Sequence, residues 1–165
     1  MKVGSHETMA QTAQELDGKL TEIVVQNYAD RTLVLVTQMG KIGNMVQSSM
    51  LHSGNLSTNK IQVSLPATIP LEPVDSLQEI PTPSPGIQLT SLLGVAPSDH
   101  LQTLHSLYAS HVATIVWTAA ASDPLIVSRK DVIVGIALQK ADSEEAERQT
   151  FVGVMKMVKR LLDQK

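Results

Sequence analysis

The chain has 165 residues, 42% apolar, with a formal net charge of −3 and no cysteine. That length suits one domain with a sizeable core and the composition is globular, while the missing cysteines exclude disulfides and thiolate metal sites and suit a reducing compartment. Only four rings are present, Tyr28, Tyr108, Trp117 and Phe151, so the core must be built from Val, Ile, Leu and Met; scarce rings and a slightly acidic balance both weigh against nucleic acid.

The first 18 residues contain no apolar segment of the kind a secretory signal needs, and residues 1–18 read as an N-terminal tail. A single domain is expected over 19–165. No run of about 18 apolar residues occurs, so no membrane span is expected. "GKLTEIVVQNYADRTLVLVTQ" holds two β-rich runs, 19–29 and 32–38, separated at Asp30-Arg31. This predicts an antiparallel hairpin. In its second strand Leu33, Leu35 and Thr37 share one face, and Val34 and Val36 the other.

The segment 51–86 carries all but two of the eight prolines, together with many Ser and Thr. It reads as a loop-like insertion. A third strand belongs either at 43–50 or at 59–65. The second choice is preferred, which would make 44–58 an enlarged hairpin loop. "IQLTSLLG", 87–94, is the fourth strand.

From Pro97 onward Leu101, Leu104, Tyr108, Val112, Ile115, Val116 and Ala119 recur at steps of three and four, predicting a helix over 98–121. "PLIVS", 124–128, suits a short edge strand, and "VIVGIALQ", 132–139, the last strand. Asp142, with Glu145 three residues on, suits the cap of a final helix. Phe151, Val154, Met155, Val158, Leu161 and Leu162 form its apolar stripe.

The expected fold is therefore α+β: a small antiparallel sheet of five or six strands with two helices on one face. Nothing predicted covers the opposite face, where Val34, Val36 and half of "VIVGIAL" are expected. Several exposed Val and Ile side chains forfeit several kcal/mol at about 25 cal/mol per Å². A partner chain is the expected cover, with Val34, Val36, Val132, Val134 and Ile136 as its contact.

The motif that asks for an explanation is Gly40-Lys41-Ile42-Gly43. It lacks the Gly-x4-Gly-Lys-Ser/Thr spacing of a phosphate loop. A KH-type RNA module also uses Gly-X-X-Gly, but between two helices, and here the preceding residues are β-branched. A turn with solvated Lys41 at its tip is the simpler reading. His100, His105 and His111 are spaced by five and six, so they diverge around a helix and read as surface residues. No Gly-x-Ser-x-Gly elbow occurs, and the acidic residues look like caps and turns. No catalytic, cofactor or metal residues are assigned, and no enzyme activity is expected.

"TLVLVTQMGKIG" followed by a further strand resembles the signature of the proteasome assembly chaperone 3 family. "LTSLLG", "VIVGIALQK" and a capped C-terminal helix follow in matching order. The resemblance covers about 19–50 and 86–163 and departs at 51–85 and 122–130. It implies a non-enzymatic cytosolic or nuclear chaperone of 20S proteasome assembly that needs no cofactor. Such a chaperone would pair with a second copy or with a proteasome assembly chaperone 4-like protein, sheet stacked on sheet. It would bind an α-type subunit and promote α-ring formation. Gln38, Gly40, Lys41 and Gly43 are the expected subunit contact. A KH-like RNA module and an unrelated interaction domain are the rival readings.

Overall fold

The structure, a computed structural model, describes residues 8–50, 80–121 and 129–164. Its strands are β1 (Thr8–Leu16), β2 (Lys19–Asn27), β3 (Arg31–Thr37), β4 (Asn44–Met50), β5 (Ile87–Leu93) and β6 (Asp131–Ala137). Helix α1 (Asp99–Ala121) precedes β6, and α2 (Glu144–Asp163) follows it. The six strands form one sheet in the order β1-β2-β3-β6-β4-β5. The fold is α+β, as expected, but the sheet is mixed. β6 runs parallel to β3 and antiparallel to β4. Its insertion between them splits what a simple meander would have paired.

Two further differences concern strand placement. Residues 8–16, read as part of a tail, pair with β2 through a two-residue turn at Asp17-Gly18. Both turn residues have positive φ, 49° and 67°, which is the geometry of the tight turn favoured by an Asp-Gly pair. The third strand lies at 44–50, so the preferred alternative and its 44–58 loop give way. Residues 59–65, and the edge strand suggested at 124–128, lie outside the described residues.

Both helices cover one face. The registers Ile23↔Val36, Val25↔Val34, Val34↔Val134, Val36↔Ile136 and Val46↔Val134 place one apolar row across the central strands. That row joins Val112, Val116, Val154, Met155 and Val158 in a single core. α1 packs on β4, β5 and β6, while α2 packs on β1 and β2. Trp117 donates its ring N–H to the carbonyl of Lys130 at 2.7 Å, so its polar atom is satisfied within the core wall. The N-cap of α2 is Ser143 rather than Asp142. Its hydroxyl accepts the N–H of Ala146 at 3.1 Å, supplying one partner that the first turn lacks.

Candidate functional site: the open face and its turn

Alternation places the other half of each strand on the face away from the helices. Val34, Val36, Val132, Val134 and Ile136, expected on the uncovered face, are 0–2% exposed and lie in the core under the helices. They are corrected from contact residues to core residues. Two apolar sets alternate along these strands, and period alone does not say which set receives the helices. The valine-rich row took them, leaving Leu33, Leu35, Ile133 and Gly135 on the other side.

The open face is apolar at its centre. Leu35 pairs in register with Gly135, and Gly135 with Met45. A Cβ on Gly135 would meet the side chains of Leu35, Ile42 and Met45, so these three converge over the glycine. Leu93 pairs opposite Met45 and is 57% exposed, while Leu20, on the same face of β2, is 60% exposed. Polar groups flank the centre. Gln47 donates to the Asp131 carboxylate at 2.6 Å, and the Asp30–Arg31 pair stands at the same end of the strands. Among the described residues, no element packs across this face. An apolar centre with a polar surround is the pattern of an interaction surface.

The turn after β3 explains the glycine motif. β3 and β4 flank β6, so residues 38–43 must pass across the end of β6. The backbone N–H of Gln38 donates to the carbonyl of Ala137 at 2.9 Å. The Gln38 side chain donates to the Thr21 hydroxyl at 3.0 Å and accepts the N–H of Gln139 at 3.0 Å. Gln38 is therefore a tie between β2, β3 and the segment after β6. Gly43 has a different constraint: a Cβ there would lie 2.1 Å from the Ile136 carbonyl oxygen. Gly40 takes φ +61° with open space around it, as the turn reading expects.

Of the four residues expected to meet a partner, Gln38 and Gly43 are thus committed inward. Lys41 remains exposed at the tip beside Met39 and Ile42, which are 44% and 56% exposed. Ile42, passed over in the sequence reading, links the tip to the open face. The turn joins two strands, so the pair of helices that a KH loop requires is absent here.

The three helical histidines do diverge, but only His100 is on the surface. It pairs with Glu147 at 3.0 Å. His105 meets Asn44 at 2.9 Å, and burial lowers its pKa. His111 packs edge-on against Phe151, where burial pushes its pKa down to about 4. Among the described residues no group of His, Asp or Glu is arranged to hold a metal ion.

No family model and no curated protein matches the sequence. Among solved structures the chain resembles one chain of the crystal structure of a novel chaperone complex for yeast 20S proteasome assembly. The TM-score is 0.51 at 10% identity, covering 94% of this chain and 98% of that one; at that identity the likeness is one of fold.

Proposed function

We propose that the chain is a non-enzymatic chaperone of 20S proteasome assembly, similar to the proteasome assembly chaperone 3 family. It works as a dimer, with a second copy or with a proteasome assembly chaperone 4-like protein, in the cytosol or nucleus. The observation that carries this reading is the near full-length fold likeness to a chain of a yeast chaperone complex for 20S assembly. The open face supports the dimer, since its apolar centre needs a cover that the chain's own helices do not provide.

In this account the partner stacks on Leu33, Leu35, Met45 and Leu20 rather than on the helix-side valines. The exposed tip Met39–Ile42 offers the α-type subunit an apolar contact beside one cation, Lys41. Chaperoning then rests on differential binding: tight to an α-ring intermediate, weaker to the completed particle. No bond is made or broken.

The test is reconstitution of α-rings from purified α-type subunits, followed by native electrophoresis. The wild-type chain should raise ring yield several-fold, and Leu33→Asp/Leu35→Asp should not. Ring yield that is unchanged by the wild-type chain, alone and with a proteasome assembly chaperone 4-like protein, would overturn the proposal.

A further inference from the structure

The stretch "IPTPSPG", residues 80–86, enters β5 without forming helix or strand. Its prolines alternate with Thr82 and Ser84. Of the eight prolines in the chain, only Pro83 and Pro85 follow a hydroxyl residue, so the Ser/Thr-Pro pairs occur here and nowhere else. Both ends of the stretch are held. Ile80 packs against the core, and the His111 ring donates to the Pro81 carbonyl. At the other end the N–H of Ile87 donates to the Ser84 carbonyl at 3.2 Å, closing a turn with Pro85 and Gly86 at its centre. Between these anchors Thr82 and Ser84 are exposed. The Ser84 hydroxyl accepts the N–H of Gly86 at 3.3 Å, and among the described residues neither hydroxyl has an acceptor for its own proton.

A hydroxyl followed by proline is a distinct kind of substrate. Proline has no N–H and holds the residue before it extended. An enzyme whose cleft offers the following N–H no partner accepts proline there and rejects other residues, each of which would bury an unpaired donor. That is the selection rule of a proline-directed protein kinase. The product is also accommodated. Residues 80–98 include no charged side chain, so no carboxylate on this stretch repels a phosphate. The Gly86 N–H already points at the Ser84 oxygen, and a phosphate oxygen would take it in a stronger, charge-assisted bond.

We propose that Thr82 and Ser84 are phosphorylation sites for a proline-directed kinase. The hydroxyl oxygen attacks the γ-phosphorus of ATP and the bond from that phosphorus to the β,γ-bridging oxygen breaks. ADP leaves with the electron pair, and the hydroxyl proton passes to the kinase's own base. Two phosphates, each carrying about −1.5 to −2, take the net charge from −3 to about −6 to −7. They turn the entry to β5, an edge strand of the sheet, from uncharged to acidic. The proposal rests on neither the chaperone reading nor the open face.

The experiment is phosphate uptake from ATP by the unmodified full chain, with a mitogen-activated protein kinase as the enzyme and peptide mass mapping as the readout. The folded chain should take up phosphate at Thr82 and Ser84, at a rate within a few-fold of a synthetic peptide of residues 80–90. Pro83→Ala/Pro85→Ala, which keeps both hydroxyls and restores the N–H groups, should slow uptake at least tenfold. Thr82→Ala/Ser84→Ala should abolish it. The tagged chain recovered from eukaryotic cells should carry phosphate at the same residues, and the proline variant should not. No uptake at either residue by the folded chain, equal rates for the wild-type chain and the proline variant, or neither residue phosphorylated in cells would overturn the proposal.

Discussion

Gly43→Ala isolates the structural reason for the glycine motif. The new Cβ would lie 2.1 Å from the carbonyl oxygen of Ile136, where an ordinary carbon–oxygen contact between strands is about 3.3 Å. About 1.2 Å must therefore be recovered. Ile136 cannot withdraw easily, because its strand is paired to Val36 on one side and to Asn44 on the other. The offending atom is backbone, so no rotamer change relieves it. Overpacking of this kind costs about 1–3 kcal/mol, and a fixed obstacle places it at the upper end, about 3 kcal/mol. For a chain of this length that lowers Tm by roughly 6–12 °C. Gly40→Ala is the control. Its φ of +61° is strained for alanine, but nothing lies within 4 Å, so about 1 kcal/mol is expected. Urea unfolding of both variants provides the comparison. If Gly43→Ala costs no more than Gly40→Ala, the passage of the turn across β6 is not what fixes the second glycine.

Substitutions on adjacent residues of β3 should part in kind. Leu33→Asp/Leu35→Asp is expected to yield a folded monomer by light scattering, whereas Val34→Asp, which buries an unpaired charge, should cost more than about 4 kcal/mol and unfold the chain; an unchanged dimer from the leucine pair would remove the stacking surface. Stability should also fall on acidification. His111 titrates near 6.5 when unfolded and about 4 when folded, so the unfolded chain binds the extra proton between those values. Its contribution is complete above pH 6.5 and lost as pH falls toward 4, with His105, lowered in the same direction, adding to the slope. His111→Phe should remove most of that slope in urea titrations at pH 4.5 and 7, and an unaltered slope would reject the assignment.

Most elements were legible because the core is regular. The β-branched runs of β2, β3 and β6 and the three-and-four spacing of α1 and α2 follow directly from the helix and strand periods. β1 was not, because "TMAQTAQEL" is mostly polar and of low strand propensity; the Asp17-Gly18 pair was the signal that could have found it. The parallel pairing of β3 with β6 depends on contacts about 100 residues apart, which local pattern does not encode. An uncovered face was expected, and among the described residues no element packs across it; the residues assigned to it lie instead under the helices. Both alternate rows of β3 are apolar, so only the helices themselves distinguish Val34 from Leu35. Gln38 looked like a turn residue available to a partner, and its four hydrogen bonds to β2, β6 and the segment beyond could not be read from its neighbours.

Affinity capture of the tagged chain from cells, with quantification of proteasome α-type subunits, tests the central claim most directly. The account predicts α-type subunits in near-stoichiometric amount, with completed 20S particles depleted. Good expression with no α-type subunit recovered would contradict it.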